Sequence, residues 1–370
     1  MKVSIFIFVV ASTFIYETHQ CMPSVTTASG GAAPIWICSG QLIFEDHFDT
    51  LDHNKWKHEI TLGGGGNWEF QWYTNDCENS IAQNGFLKIK PTLTSDFLGE
   101  SALTSRTVGL SCSCTNSLFY GCERRGTVDN IINPIRSAKL YTKGTFAFKY
   151  GRVEVRAKMP SGDWLWPAIW MLPKHDIYGE WPRSGAIDIA ASRGNRKLGL
   201  NGVNIGVQQM ASTLHWGPRY DNNGFSRTHW EKNKDEFNEK FHVYELLWTP
   251  DSITFKVDDE FLGSVTPPPQ GGFWELGEFG KGGKESIWEH GSKIAPFDHE
   301  FYLIISLAVG GVSKYFPDNA SNPGGKPWKD SSAKAATDFW NGREQWLPTW
   351  NLGRNENASL QVDYVRVYAV

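Results

Sequence analysis

The chain has little of what would mark it for nucleic acid, lipid or metal. It holds no long run of one charge. Its 36 Lys and Arg stand against 40 Asp and Glu, a net charge of -4. That balance excludes a nucleic-acid footprint and a polybasic membrane patch. No segment has ~18 uninterrupted apolar residues, so no membrane span is expected. Helical periodicity is weak throughout, and residues 332–340 are the best candidate for a short helix. No internal repeat and no Pro/Ser-rich linker divides residues 35–370. Cysteine is missing from the last two thirds of the chain: Cys21, Cys38, Cys77, Cys112, Cys114 and Cys122 all lie early. Cys112, Cys114 and Cys122 are poorly spaced for zinc and have no His close by, so no metal and no required cofactor are expected.

What is present points outward from the cell. Lys2 precedes a mostly apolar stretch from Val3 to Tyr16, too short for a typical span, so residues 1–20 read as a secretory signal peptide. Secretion makes disulfides the default for the cysteines, and sequence does not choose among the pairings. Residues 21–34 are small, polar and punctuated by Pro and Gly, which reads as a short flexible leader. Two sequons, Asn319-Ala320-Ser321 and Asn357-Ala358-Ser359, suit a secreted chain.

Residues 35–370 read as one domain of many short strands. Period-two alternation or β-rich runs occur at 42–48, 85–90, 138–141, 144–150, 152–159, 164–172, 212–216, 242–248, 252–257, 301–308 and 360–368, separated by Gly, Pro, Asp and Asn. This is the pattern of an all-β sandwich. Residues 91–134 break the rhythm with three cysteines and many small polar residues, as expected of a disulfide-pinned surface loop. The 17 Trp exceed ordinary usage. They fit either a Trp-rich core or a carbohydrate groove, because flat indole faces stack on sugar rings.

The centre of the chain is Arg183-Ser184-Gly185-Ala186-Ile187-Asp188-Ile189-Ala190-Ala191-Ser192-Arg193. Its alternation predicts a strand with Ala186, Asp188 and Ala190 on one face. One extra residue at a β-bulge would put Ala191 there instead of Ala190.

This strand, with Gly63–Asn75, Phe119–Arg124, Lys149–Lys158, Trp166–Leu172, Thr213–Pro218 and Leu307–Gly311, resembles the family 16 glycoside hydrolases. The likeness is strongest to invertebrate β-1,3-glucanases and to the β-1,3-glucan recognition proteins, also called Gram-negative-bacteria-binding proteins. It implies a β-jelly roll of two stacked antiparallel sheets with a carbohydrate cleft on the concave one. The family pattern at the strand is Glu-Ile-Asp-Ile-Met-Glu, the first Glu being nucleophile and the last acid/base. Here Ala186 and Ala191 stand at those places, Ala190 stands at the Met, and Asp188 remains.

A retaining glycosidase needs one carboxyl group to attack and another to donate a proton. Alanine does neither, and Asp188 is too short and sits between the two places. By the same resemblance Trp164, Trp166, Trp170, His215 and Trp216 line the sugar subsites. Some family members hold a structural Ca²⁺, for which Glu45 and Asp363 are the rough positional candidates; no such ion is expected here.

The leading expectation is therefore a secreted, catalytically silent β-1,3-glucan-binding protein acting in innate immune recognition. Its partner would be a fungal, algal or microbial β-1,3-glucan, with any protease-cascade partner unspecified. The competing readings are an endo-β-1,3-glucanase using another carboxylate, a working enzyme in which glutamates were replaced by alanine, and a structural protein without sugar affinity.

Overall fold

The computed structural model describes residues 21–233 and 236–370. The expected signal peptide at 1–20 lies outside the described residues.

The strands that build the fold are β1 (Thr27–Ser29), β2 (Leu42–Asp46), β3 (Ser80–Gln83), β4 (Phe86–Ile89), β5 (Lys139–Tyr141), β6 (Ala147–Lys149), β7 (Gly151–Lys158) and β8 (Leu165–Pro173). They continue with β9 (Ala186–Ser192), β10 (Gln209–His215), β11 (His229–Asn233), β12 (His242–Trp248), β13 (Ile253–Val257), β14 (Glu260–Val265), β15 (Phe301–Val309) and β16 (Leu360–Tyr368). Two short helices, α1 (Ala335–Asn341) and α2 (Arg343–Trp350), precede the last strand. One sheet runs β1-β6-β15-β8-β9-β10-β11, with β5 also pairing β15. The other runs β14-β13-β12-β7-β16-β4-β3, with β2 also pairing β16.

Alternation decides which side of each strand is buried. In β7, Val153, Val155 and Ala157 are fully buried, while Arg152, Glu154, Arg156 and Lys158 are only partly covered. The outward Arg152 and Arg156 pair with Glu245 and Asp363 on the neighbouring strands. In β8, Leu165, Ile169 and Met171 face the core between the sheets, and Trp166, Ala168, Trp170 and Leu172 face away from it. β15 is buried along its whole length. Phe301, Leu303, Ile305, Leu307 and Val309 belong to the main core, whereas Tyr302 and Ile304 join a separate small cluster with Ala147, Tyr141, Trp170 and Leu172 on the opposite face. Each buried Leu, Ile or Phe of the main core contributes ~1.5–3 kcal/mol.

Two expectations are corrected. Residues 21–34 are not a loose leader. β1 pairs antiparallel with β6, and the Cys21–Cys38 disulfide closes the segment. Its composition hid this, because three strand residues supply too little pattern to read. The segment also meets the other end of the chain. The Val25 amide donates to the Val370 carbonyl at 3.3 Å, and the Val370 amide donates to Thr26 Oγ1 at 2.9 Å.

The break at 91–134 carries a disulfide, as expected, and is folded along its length. It holds short helices at Thr94–Leu98 and Ala102–Ser105, a hairpin of Thr107–Gly109 with Glu123–Arg125, and the Cys114–Cys122 disulfide. The default pairing of all the cysteines is not met, since Cys77 and Cys112 are free and exposed.

Candidate functional site

The site is laid out on the outward face of β8, β9 and β10. Gly185 delivers the chain into β9 at φ +81°, where a side chain would be strained and a Cβ would lie 2.9 Å from the Phe297 ring. β9 pairs with β8 in the register Trp170↔Asp188, Ile169↔Ala190 and Ala168↔Ala191. It pairs with β10 as Ala186↔His215, Asp188↔Thr213 and Ala191↔Ala211. Both registers slip between Asp188 and Ala191. One extra residue is accommodated there, so Ala186, Asp188 and Ala191 share a face and Ala190 turns into the core.

Asp188 is held rather than free. Its Oδ2 lies 3.2 Å from His215 Nε2. Asn223 fixes the tautomer of that ring. Its Oδ1 accepts from the Trp216 and Phe225 amides, which leaves Nδ2 to donate to His215 Nδ1 at 3.2 Å. His215 Nε2–H therefore donates to Asp188. About a quarter of each side chain is exposed, 23% for Asp188 and 25% for His215, so this pair is open to a ligand.

The aromatic candidates separate into three groups. Trp170 and His215 present partly exposed rings on the face. Trp170 Nε1 donates to Ser306 Oγ at 3.1 Å, and Lys139 Nζ lies 5.0 Å from its ring centroid. Lys139 is paired in turn with Glu59 at 2.8 Å.

Trp166 is on the same face, but one side of its indole is already taken. Tyr315 stacks on it at 3.8 Å and 7°. Arg193 covers Tyr315 at 4.1 Å and donates through Nε to its backbone carbonyl at 2.6 Å. Burial pushes the Tyr315 phenol up to about 12, against the lowering effect of Arg193, and the charge of Asp188 adds to the rise.

Trp164 and Trp216 are corrections. Trp164 is 1% exposed and packs edge-on to Trp328 and Phe316, at 5.0 and 5.5 Å. Trp216 is 0% exposed, donates to Thr228 Oγ1 at 2.8 Å, and packs against Phe273 at 4.8 Å. Neither offers a face to a sugar, because the loops beyond the strand ends close over both rings.

The sequence reading missed two exposed rings that flank His215. Trp181 lies 5.6 Å from it and Phe225 lies 5.7 Å from it. They are 47% and 44% exposed. Trp181 was findable, since it opens the Trp-Pro-Arg-Ser turn that feeds β9. Phe225 sits in a loop whose return to the site depends on the His215–Asn223 bond, which no local pattern reveals.

Four other carboxylates named from the sequence are placed as follows. Asp163 is buried and accepts from Asn322 Nδ2 at 2.7 Å; burial raises its pKa. Glu180 is exposed on the turn before β9. Glu45 accepts from Arg366 at 2.9 Å, and Asp363 pairs with Arg156, so each Ca²⁺ candidate is already neutralised by its own guanidinium. Among the described residues no group of three or more His, Cys, Asp and Glu could hold a metal ion.

The two stacked antiparallel sheets place the chain in the class of β-jelly-roll sandwiches. Residues 132–271 match glycosyl hydrolases family 16. The chain is 49% identical over 338 residues to a β-1,3-glucan-binding protein of Penaeus monodon, covering 88% of this chain and 90% of that protein. It is 39% identical to β-1,3-glucan-binding protein 1 of Manduca sexta, covering 95% of this chain and 69% of that protein. It is 32% identical to Gram-negative bacteria-binding protein 1 of Drosophila melanogaster, covering 94% and 68%. Among solved structures, the laminarinase of Rhodothermus marinus is 26% identical with a TM-score of 0.55, covering 90% of this chain and 98% of that one. The chain belongs to glycosyl hydrolases family 16, in the group that holds these binding proteins. Among the described residues no helix is long and apolar enough to cross a membrane.

Proposed function

We propose that this chain is a secreted, catalytically silent β-1,3-glucan-binding protein, one jelly-roll domain over residues 35–370, acting in innate immune recognition. The observation that carries the proposal is on β9. The bulge aligns positions 186, 188 and 191 on one face, in the order of the family's nucleophile, middle Asp and acid/base, yet the outer two side chains are methyl groups. Without a general acid the reaction loses ~10²–10⁴-fold, and without a nucleophile the covalent route is absent. Asp188 is engaged by His215 and stands between the two reacting positions.

Binding does not need those carboxylates. Trp181 and Phe225 flank His215, which holds Asp188, and Trp170 stands opposite Asp188 on β8; together they combine aromatic faces with polar handles, the composition of a sugar platform. The names of the relatives, β-1,3-glucan-binding proteins, support the same ligand. The test is sedimentation with insoluble β-1,3-glucan. The folded protein is expected in the pellet and is released by soluble laminarin; a folded protein left in the supernatant would overturn the reading. Laminarin incubated with the same sample is expected to release no reducing sugar. Release would establish the rival, an endo-β-1,3-glucanase using another carboxylate.

A further inference from the structure

A cavity of about 640 Å³ is lined by the Gly63–Asn75 loop, the disulfide-closed hairpin and the start of α1. It shares no residue with the platform around Asp188. Arg124, Trp68 and Tyr120 are among its walls.

Arg124 is a half-buried cation that no carboxylate answers. Its Nη1 donates to Asn133 Oδ1 at 2.7 Å and its Nη2 to the Phe119 carbonyl at 3.2 Å. Both acceptors are neutral, and no ion pair involves Arg124 among the described residues. Burial disfavours its charged form. A partly desolvated guanidinium with donors to spare is the group that recognises a carboxylate, sulfate or phosphate in a fixed orientation. Glu69, also in the wall, does not serve as its partner. Both of its oxygens are bound by amide donors, Asn67 Nδ2 and Gln71 Nε2, each at 2.9 Å.

A second observation concerns the backbone. Trp68, Phe119 and Tyr120 adopt φ of 49°, 57° and 60°. The left-handed region is rare for bulky aromatic residues and costs stability wherever it persists. Two of them, Trp68 and Tyr120, line this cavity, and Phe119 stands behind Trp68. Trp68 packs edge-on to Phe119 at 5.7 Å, and Trp68 and Tyr120 are 45% and 74% exposed.

We infer that this cavity is a second saccharide site, for an acidic sugar whose anionic group pairs with Arg124 and whose ring stacks on Trp68 or Tyr120. It extends the proposed glucan recognition to charged glycans and does not depend on it. A neutral glucan offers nothing to the guanidinium, so the two sites differ in specificity.

The experiment follows the Trp fluorescence of the full chain on titration with glucuronic acid and glucose 6-sulfate. Glucose and inorganic sulfate serve as the neutral and sugar-free controls. The acidic sugars are expected to bind at least about tenfold more tightly than either control, and Arg124→Gln is expected to abolish the difference. Tyr120→Ala, which removes an exposed ring and leaves the fold intact, is expected to weaken the acidic sugars and leave inorganic sulfate unchanged. Glucan sedimentation is expected to be unaffected by either substitution, which separates this site from the β9 platform. Equal binding of glucose and glucuronic acid would overturn the proposal. So would inorganic sulfate binding as tightly as glucose 6-sulfate, or acidic-sugar binding that survives Arg124→Gln.

Discussion

Restoring the two carboxylates, Ala186→Glu with Ala191→Glu, is expected to turn the protein into a glucanase. The structure supplies the geometry. With the bulge counted out, positions 186 and 191 are about four strand steps apart, or ~13 Å at ~3.3 Å per residue. The carboxyl groups of a retaining pair stand ~5–5.5 Å apart. Each introduced side chain must therefore lean inward by about 4 Å, within the reach of a glutamate. Asp188 lies between them and keeps its bond to His215, so it can enter a proton-sharing contact with the carboxyl group introduced at position 191. Either single substitution supplies only half the machinery and is expected to show no turnover above background. The double variant is expected to exceed both by at least the ~10²-fold that a general acid contributes. The assay is reducing-sugar release from laminarin, with circular dichroism confirming the fold. A folded double variant that binds glucan and releases nothing would refute the argument that the backbone frame is still catalytic.

Four further outcomes follow from the same geometry. Trp170→Ala is expected to lower affinity for soluble laminarin by ~1–3 kcal/mol, while Trp166→Ala changes it little, because Tyr315 already covers that indole; isothermal titration compares the two. Trp216→Ala is expected to cost ~3–5 kcal/mol of stability through a core cavity, read as a drop in denaturant midpoint, without specifically weakening glucan binding at temperatures where the variant is folded. Thiol titration of the native protein without reductant is expected to find Cys77 and Cys112 reactive and the other four cysteines protected. Burial, with His53 nearby, lowers the His58 pKa from 6.5 to about 4. The unfolded chain therefore binds more protons between those values, so stability is expected to rise with pH from about 4 to 6.5 and to level off above; His58→Gln should flatten that rise in a melting-temperature series.

The sandwich was legible in the sequence because alternation is a local signal. The strands read at 138–141, 152–159, 242–248 and 360–368 fall within a residue of β5, β7, β12 and β16. The bulge was legible only as one of two registers, and the pairing of β9 with both neighbours decides it. Aromatic positions were the weak point. Trp164 and Trp166 are two residues apart, yet one is core and the other lies on the open face. Trp164 precedes β8 in a left-handed turn at φ 70°, so the strand alternation does not reach it. Trp216 follows β10, and Thr228 and Phe273 bury it from distant parts of the chain. Trp181 and Phe225 reach the site through loops, where sequence spacing carries no directional information.

The hydrogen bonds between residues 25–26 and Val370 have a topological consequence. They make the described chain nearly circular, with both ends meeting at one point on the sandwich. A peptide link between them, with new ends opened in the exposed turn at 281–285, would leave every sheet pairing uncut. Order along the chain and order in space are separable in this protein, and the β9 platform depends on the second.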